Sequence, residues 1–292
     1  MLRMNCGDMA SVEESGWTAH ERVDESFVTL DGVRALAATL DVPPLSLDNG
    51  APLPPLWHWV LFRPMELTSG LSRDGHPPTG DFLPPSTLPR RMWAGGQLHW
   101  THGNAILVGE KVRRRSRVIS VEEKVGRSGK LVFVRLEHQI DNEAGTALVE
   151  FQDIVYREPA AGGKDQPVVQ RAALQAEVRM QVAPTETLLF RYSACTFNTH
   201  RIHYDLPYAQ GVEGYRGLVV HGPLQATLLG KLLSRNWPEK FLTRFEFRAM
   251  KPCFSGEPLI LAAAPMDQDG TVALDAIGAD GSTCMQAKAW LA

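Results

Sequence analysis

The stretch SACTFNTHRIHYDLPY, Ser193 to Tyr208, sets His200 and His203 three positions apart, with Asn198 and Arg201 among them and Asp205 just behind. No other run of the chain gathers so many donors, acceptors and titratable groups. Four uses compete for it. The first is a structural turn in which His200, His203 and Asp205 satisfy one another and the backbone. The second is a metal centre, with His200 and His203 sharing a helical face and Asp205 or His221 as a third ligand; no cysteine or second His-x-x-His supports it. The third is a Cys195 nucleophile with a histidine base. Cys195 follows an apolar strand, however, where a small buried hydrophobe is the usual role, and no oxyanion donor is adjacent.

The fourth use is proton transfer at a carbon beside a carbonyl. It needs an acid–base group titrating near the working pH, which histidine is without tuning. It also needs a donor for the charge arriving on the carbonyl oxygen. VVHGPLQ supplies one, the Gly222 N–H at the start of a buried helix, where unpaired amides and the positive end of the dipole point outward. Glycine lets a carbonyl approach the backbone closely, and one such donor contributes roughly 3–4 kcal/mol in a transition state. A histidine turn a short loop away from a glycine-led helix favours this reading over the other three.

The elements that must hold these groups are legible from periodicity. GPLQATLLGKLLSRNW repeats Leu224, Leu228, Leu229 and Leu232 at helical spacing, keeps Ala226, Thr227 and Gly230 small, and puts Pro223 in its first turn. A helix this apolar requires wrapping. KVRRRSRVISVEEKV, GKLVFVRLEHQI and GTALVEFQDIVYRE alternate at period two around GRSG and DNEAG turns, as an antiparallel meander does. LLFRYSACTF, TRFEFRAMKPCF, EPLILAAAPM, TVALDAIGA and TCMQAKAWLA are expected to repeat that plan, and REPAAGGKDQP reads as the linker between the two. APLPPLWHWVLFRP is expected to be the first half's helix, shorter and bulkier. Periodicity alone therefore predicts an α+β protein with two similar halves: 1–157, a linker at 158–172, and 173–292.

Composition narrows the classes. At 292 residues, 44% of them hydrophobic, the chain suits two domains or one large one. A net charge of −3 offers no footprint for nucleic acid. The basic run Arg113, Arg114, Arg115 and Arg117 lies in strand-like sequence and reads as a solvated face near Glu122 and Glu123. Four cysteines without paired spacing argue for a reducing compartment. The start of the chain lacks an apolar segment of signal length, and no run is apolar and long enough to span a bilayer. The expectation is a cytoplasmic protein that meets no membrane.

FNTHRIHYDLPYAQGVEGYRGLVVHGPLQATLL, with LPRRMWAGGQLHW and FEFRAMKPCFSGEPL, resembles the MaoC-like double-hotdog acyl-thioester hydratases and dehydratases. Within that family it is most similar to the branch of mesaconyl-C4-CoA and itaconyl-CoA hydratases, with mitochondrial 3-hydroxyacyl-thioester dehydratases as relatives. The resemblance covers roughly Trp17 to Leu291. It implies a tandem hotdog, an acyl-CoA thioester substrate, hydro-lyase chemistry, no metal or redox cofactor, and a homodimer. It places His203 at the catalytic histidine, Asp205 at the trailing aspartate of the motif, and His221–Gly222 at the helix opening, with the Gly222 amide on the thioester oxygen. Asn198 stands where the family's catalytic aspartate belongs, so the usual two-residue mechanism does not transfer whole; Asn198 is expected to orient the water while His203 moves the proton.

Further expectations attach to His200, Arg201 and Tyr204 beside the site. Arg201 either grips a free acyl carboxylate or ties the turn. Arg90 and Arg91 rival it for a carboxylate or phosphate, and Trp93 and Tyr215 are candidates for an acyl channel. The first half lacks a counterpart to FNTHRIHYD and is expected to be a degenerate hotdog that shapes the pocket. A hotdog thioesterase and a non-catalytic acyl-CoA-binding protein are the alternatives.

Overall fold

The computed structural model describes residues 16–43, 47–126, 129–158 and 174–292. From residue 159 on, the expected linker lies outside them. Strands β1 (Arg22–Phe27), β2 (Arg90–Trp100), β3 (Lys111–Gly126), β4 (Gly129–Asn142) and β5 (Gly145–Arg157) belong to the first half. Strands β6 (Val178–Val182), β7 (Leu242–Ala249), β8 (Leu259–Ala263), β9 (Thr271–Ile277) and β10 (Thr283–Leu291) belong to the second. Among the described residues four α-helices accompany them: α1 (Leu30–Thr39), α2 (Glu186–Thr196), α3 (Leu206–Gly211) and α4 (Gly222–Asn236).

All ten strands form one antiparallel sheet in the order β1-β3-β4-β5-β2-β7-β10-β9-β8-β6. Outward from the centre, the first half runs β2-β5-β4-β3-β1 and the second β7-β10-β9-β8-β6, so each strand has a counterpart in the other half. The halves join where Gly95 to His99 pairs with Arg248 to Arg244. At Gly95 an added Cβ would collide with the Phe247 carbonyl oxygen, and at Gly96 with that of Phe151, which is why two glycines stand at the seam.

Helix α4 is buried on nearly every side, Leu224, Leu228, Leu229, Leu232 and Leu233 included, and packs on β8, β9, β10 and β2. Burying each leucine contributes about 1.5–3 kcal/mol, so the sequence's all-round apolar helix stays wrapped. One apolar core runs through both halves, from Val33 and Leu36 on α1 to Leu224 on α4 and Phe245 on β7.

Two expected elements differ. LLFRYSACTF forms helix α2, not a strand. Thr185 caps it by accepting from the Leu188 N–H, Glu186 sits in the first turn, and Leu189, Tyr192, Ser193 and Cys195 turn one side inward. The capping residue and the 3.6-residue repeat outweigh the local β propensity. The expected helix in APLPPLWHWVLFRP is only a 3-10 turn, Trp57–Val60, entered through Leu56 at φ 71°; Pro54 and Pro55 leave no amides to begin an α-helix. The helical partner of α2 is α1 instead, and the two pack together. The arginines of β3 pair with acids on neighbouring strands, Arg114 with Asp24, Arg115 with Asp141 and Arg117 with Glu137.

Residues 61–89 cross from this 3-10 turn to β2. Phe82, Leu83 and Leu88 of that segment pack on Val134, Leu136, Ile154 and Tyr156, a small second core on β4 and β5. This anchorage brings the preceding residues, 72–76, against the second half's histidine turn.

Candidate active site

Helix α2 ends at Phe197, a left-handed residue at φ 53°. The Asn198 Oδ1 then accepts from the His200 N–H at 3.0 Å, a local Asx turn. Arg201 to His203 make one 3-10 turn, and Asp205 caps α3 by accepting from the Tyr208 N–H at 3.1 Å. Val219 pins the turn from the other strand of chain: its N–H donates to Ile202 O at 3.0 Å, and its carbonyl accepts from His203 Nδ1–H at 2.7 Å. The second bond fixes the neutral tautomer of His203, with the lone pair on Nε2. Burial pushes this imidazole down to about 4, against the Val219 bond, so it is neutral at pH 7 with Nε2 free to accept, and it titrates below the working range expected of an untuned histidine.

The His203 ring stacks on His221, centroids 3.6 Å apart and planes 20° from parallel. His221 is fully buried, donates or accepts at Nε2 with Ser193 Oγ at 2.8 Å, and is held neutral by burial. It is also the residue before α4's first turn and gives that turn no side-chain cap, which leaves the helix-start amides for another acceptor. At Gly222 a Cβ would find only Met285 Cε and Trp93 O, both at 4.0 Å, so a carbonyl can approach. Trp93, whose backbone oxygen is one of those two atoms, sets its ring edge-on to Trp59 at 5.3 Å and 6.1 Å from Phe247, an aromatic cluster.

The other expected residues divide. Asn198 lies in the turn, but its oxygen is already engaged by His200. Arg201 faces inward on its own turn: Nε and Nη2 donate to Asp205 Oδ2 at 3.0 and 2.7 Å, Nη1 donates to Arg73 O, and the guanidinium covers the Tyr208 ring. Asp205 is thereby a helix cap and an ion-pair partner, and Tyr204, half exposed, donates to Thr199 O at 3.0 Å. Arg90 pairs with Glu213 and lies over Tyr215. Arg91 has no hydrogen-bond or ion-pair partner among the described residues, yet its charge bears on His76, His200 and Tyr156. The Tyr156 hydroxyl is buried and likewise unpartnered. Cys195 is buried in α2 with its sulfur 3.7 Å from Thr39 Oγ1, not beside an imidazole.

Two residues that sequence reasoning passed over sit here. His76 lies 4.2 Å from His200, centroid to centroid, and Asp74 Oδ2 accepts from His76 Nδ1–H at 2.8 Å. Burial works to raise the Asp74 carboxyl, but the bonds and charge of His76 outweigh it and hold it below the usual carboxylate range. With His200, this pair is the group among the described residues with metal-ligand spacing, a different set from the His200, His203 and Asp205 or His221 weighed as a metal centre from the sequence. The signal was SRDGHPP, an Asp-Gly-His in a proline- and glycine-rich run.

The chain matches the family model described as hydroxyacyl-thioester dehydratase type 2 over residues 56–255. It is 42% identical to the mesaconyl-C4-CoA hydratase of Chloroflexus aurantiacus, over 96% of this chain and 98% of that one. It is 27% identical to the mitochondrial hydroxyacyl-thioester dehydratase type 2 of Schizosaccharomyces pombe, over 81% of this chain and 84% of that one. Among solved structures, a MaoC-like dehydratase from Phytophthora capsici is similar at a TM-score of 0.68 and 14% identity, covering 95% of this chain and 96% of that one. HtdX of Mycobacterium tuberculosis is similar at 0.65 and 19%, covering 93% and 99%. At such identities the structural likeness speaks to the fold alone, a MaoC-like dehydratase fold.

Proposed function

The chain belongs to the hydroxyacyl-thioester dehydratase type 2 family, and we propose that it is a hydro-lyase acting on a short branched or dicarboxylic enoyl-CoA, of the mesaconyl-C4-CoA or itaconyl-CoA type. The observation that carries the reading is the neutral His203 imidazole, its Nδ1–H tied to Val219 O, stacked on the residue that opens α4. In the hydration direction, water oxygen bonds to C3 as one of its protons passes to His203 Nε2. The C2=C3 electron pair moves onto the thioester oxygen, which the Gly222 N–H receives. The resulting enolate takes the proton back at C2, and His203 returns to neutrality. Dehydration is the same path reversed, and no metal or redox cofactor enters it.

A second carboxylate on the acyl chain needs a cation. Arg91, unpaired and close to the histidines, with the buried Tyr156 hydroxyl, supports that substrate class better than Arg201 does. Trp93 and Trp59 suit the acyl wall. We read the halves as tandem hotdogs, 1–157 and 173–292 joined by 158–172, a reading that the mirrored strand order supports. In it the first half is a degenerate hotdog, without a counterpart to FNTHRIHYD, that shapes the acyl pocket. No helix among the described residues is long and apolar enough to cross a membrane, and the described cysteines are free; a cytoplasmic setting and a homodimer belong to the same proposal.

Mixing the protein with mesaconyl-C4-CoA tests the activity. Enoyl absorbance should disappear with no thiol released. Thiol release with the enoyl intact would instead identify a thioesterase, and stabilisation without turnover a binding protein. His203→Ala should lower kcat by about 10²–10⁴-fold in a protein that still melts cooperatively; a rate near wild type removes His203 from the mechanism.

A further inference from the structure

We propose that Asp74 and His76, carried by the first half, form the group that orients the attacking water, a duty that the amide at position 198 leaves open. The inference deepens the hydration reading above and rests on it. A water adding to C3 has two hydrogens to place. His203 Nε2 accepts one. Asn198 has one Oδ1 lone pair left for the other, since the His200 N–H occupies the first, and an amide cannot serve as a base for it. His76 can: its Nδ1–H donates to Asp74, so the lone pair sits on Nε2, which has no partner among the described residues. With both hydrogens held by imidazole nitrogens, the water's own lone pair is free to face the β-carbon. The proton still leaves to His203 and returns at C2, and His76 forms no covalent bond. His76 would touch the reacting water; Asp74 acts through His76 and is a positioning residue.

The loop is built to deliver them. Asp74 O accepts from the Arg201 N–H at 2.9 Å, Arg73 O accepts from Arg201 Nη1 at 3.1 Å, and Thr199 Oγ1 donates to Gly75 O. Asp74 Oδ1 also accepts from the His76 N–H at 3.0 Å, which fixes the carboxylate under the ring. A chain of imidazoles follows: His76 to His200 at 4.2 Å, His200 to His203 at 5.5 Å, and His203 to His221 at 3.6 Å beside Gly222. The first half thus places a carboxylate-backed base in the catalytic pocket of the second.

A metal held by Asp74, His76 and His200 is the competing use of this cluster. One feature disfavours it: the Asp74 carboxylate that would be a ligand is already spent on His76, accepting from its Nδ1–H at 2.8 Å and from its backbone N–H at 3.0 Å.

The test compares Asp74→Asn and His76→Ala with wild type in the full-length protein, on whichever enoyl-CoA it turns over. Asp74→Asn keeps the main-chain bond to Arg201 and the shape of the side chain, so it should melt with wild type. Both variants should lose about 10²-fold in kcat, at the low end for a positioned proton acceptor, with KM within about threefold. Imidazole added to His76→Ala should restore part of the rate, which a purely structural role would not permit. Rates within twofold of wild type in both variants overturn the proposal, as does stoichiometric bound metal whose removal by chelator abolishes activity. His203→Ala, measured alongside, separates the two readings. If it is inactive while Asp74→Asn and His76→Ala are both fully active, only the water-orienting pair falls; if it is fully active, the hydration mechanism itself falls.

Discussion

Arg90 and Arg91 are neighbours in the chain, but successive residues of a strand point to opposite faces. Arg90 meets Glu213, whereas Arg91 has no partner among the described residues and its charge bears on His76 and His200. A hydrogen bond to a charged group contributes about 1.5–3 kcal/mol, so Arg91→Ala should raise KM for a dicarboxylic enoyl-CoA by about 10–100-fold. It should leave a monocarboxylic enoyl-CoA of the same length nearly unchanged. Steady-state kinetics on the two thioesters checks this, and equal effects on both would move Arg91 from the acyl carboxylate to the CoA phosphates. Arg201 shows the converse. Its i,i+4 bond to Asp205 and its stacking on Tyr208 spend the guanidinium on the turn, so Arg201→Lys should cost stability before substrate affinity.

At the scale of elements, the site depends on one loop of the first half meeting one turn of the second. Gly75 is the contact. It sits at φ +91°, a backbone region that L side chains rarely adopt, and a Cβ there would run into the Thr199 carbonyl oxygen. Gly75→Ala should therefore cost about 1–3 kcal/mol, read by denaturant unfolding. It should also lower kcat by pushing His76 away from His200. A variant that loses stability but keeps its rate would show that residues 72–76 brace the turn without serving the chemistry. The same scale explains α2: in LLFRYSACTF the alternation of apolar residues is ambiguous over ten positions, and the cap at Thr185 decides for helix.

In the whole molecule, buried neutral imidazoles make stability depend on pH. Burial holds His76, His138, His200, His203 and His221 below their ordinary value. The unfolded chain protonates these side chains near pH 6.5 while the folded chain does not, so the unfolded state binds more protons and stability falls as pH drops. For His203 that window runs from about 6.5 down to about 4. Each such histidine costs up to about 1.4 kcal/mol per pH unit within its window. The melting temperature should be highest near pH 7 and fall steeply toward pH 5. A flat profile over that range would mean that the imidazoles are already charged in the folded state.

Much of this was legible in the chain. The all-round apolar run after Gly222 required a wrapped helix, period-two alternation marked the long strands, and FNTHRIHYD with HG carried the family. Local rules sufficed because each signal lies within a dozen residues. The long-range placements were not legible. Nothing in SRDGHPP says that Asp74 lies against His200, more than a hundred residues away, and nothing in RRMW says which arginine is spent on Glu213. Those positions follow from the β2–β7 seam and from the small core under Leu83. Local spacing marked the wrapped helix, the long strands and the family, because each of those signals lies within a dozen residues, while tertiary packing decided which carboxylate and which cation stand beside the histidine turn.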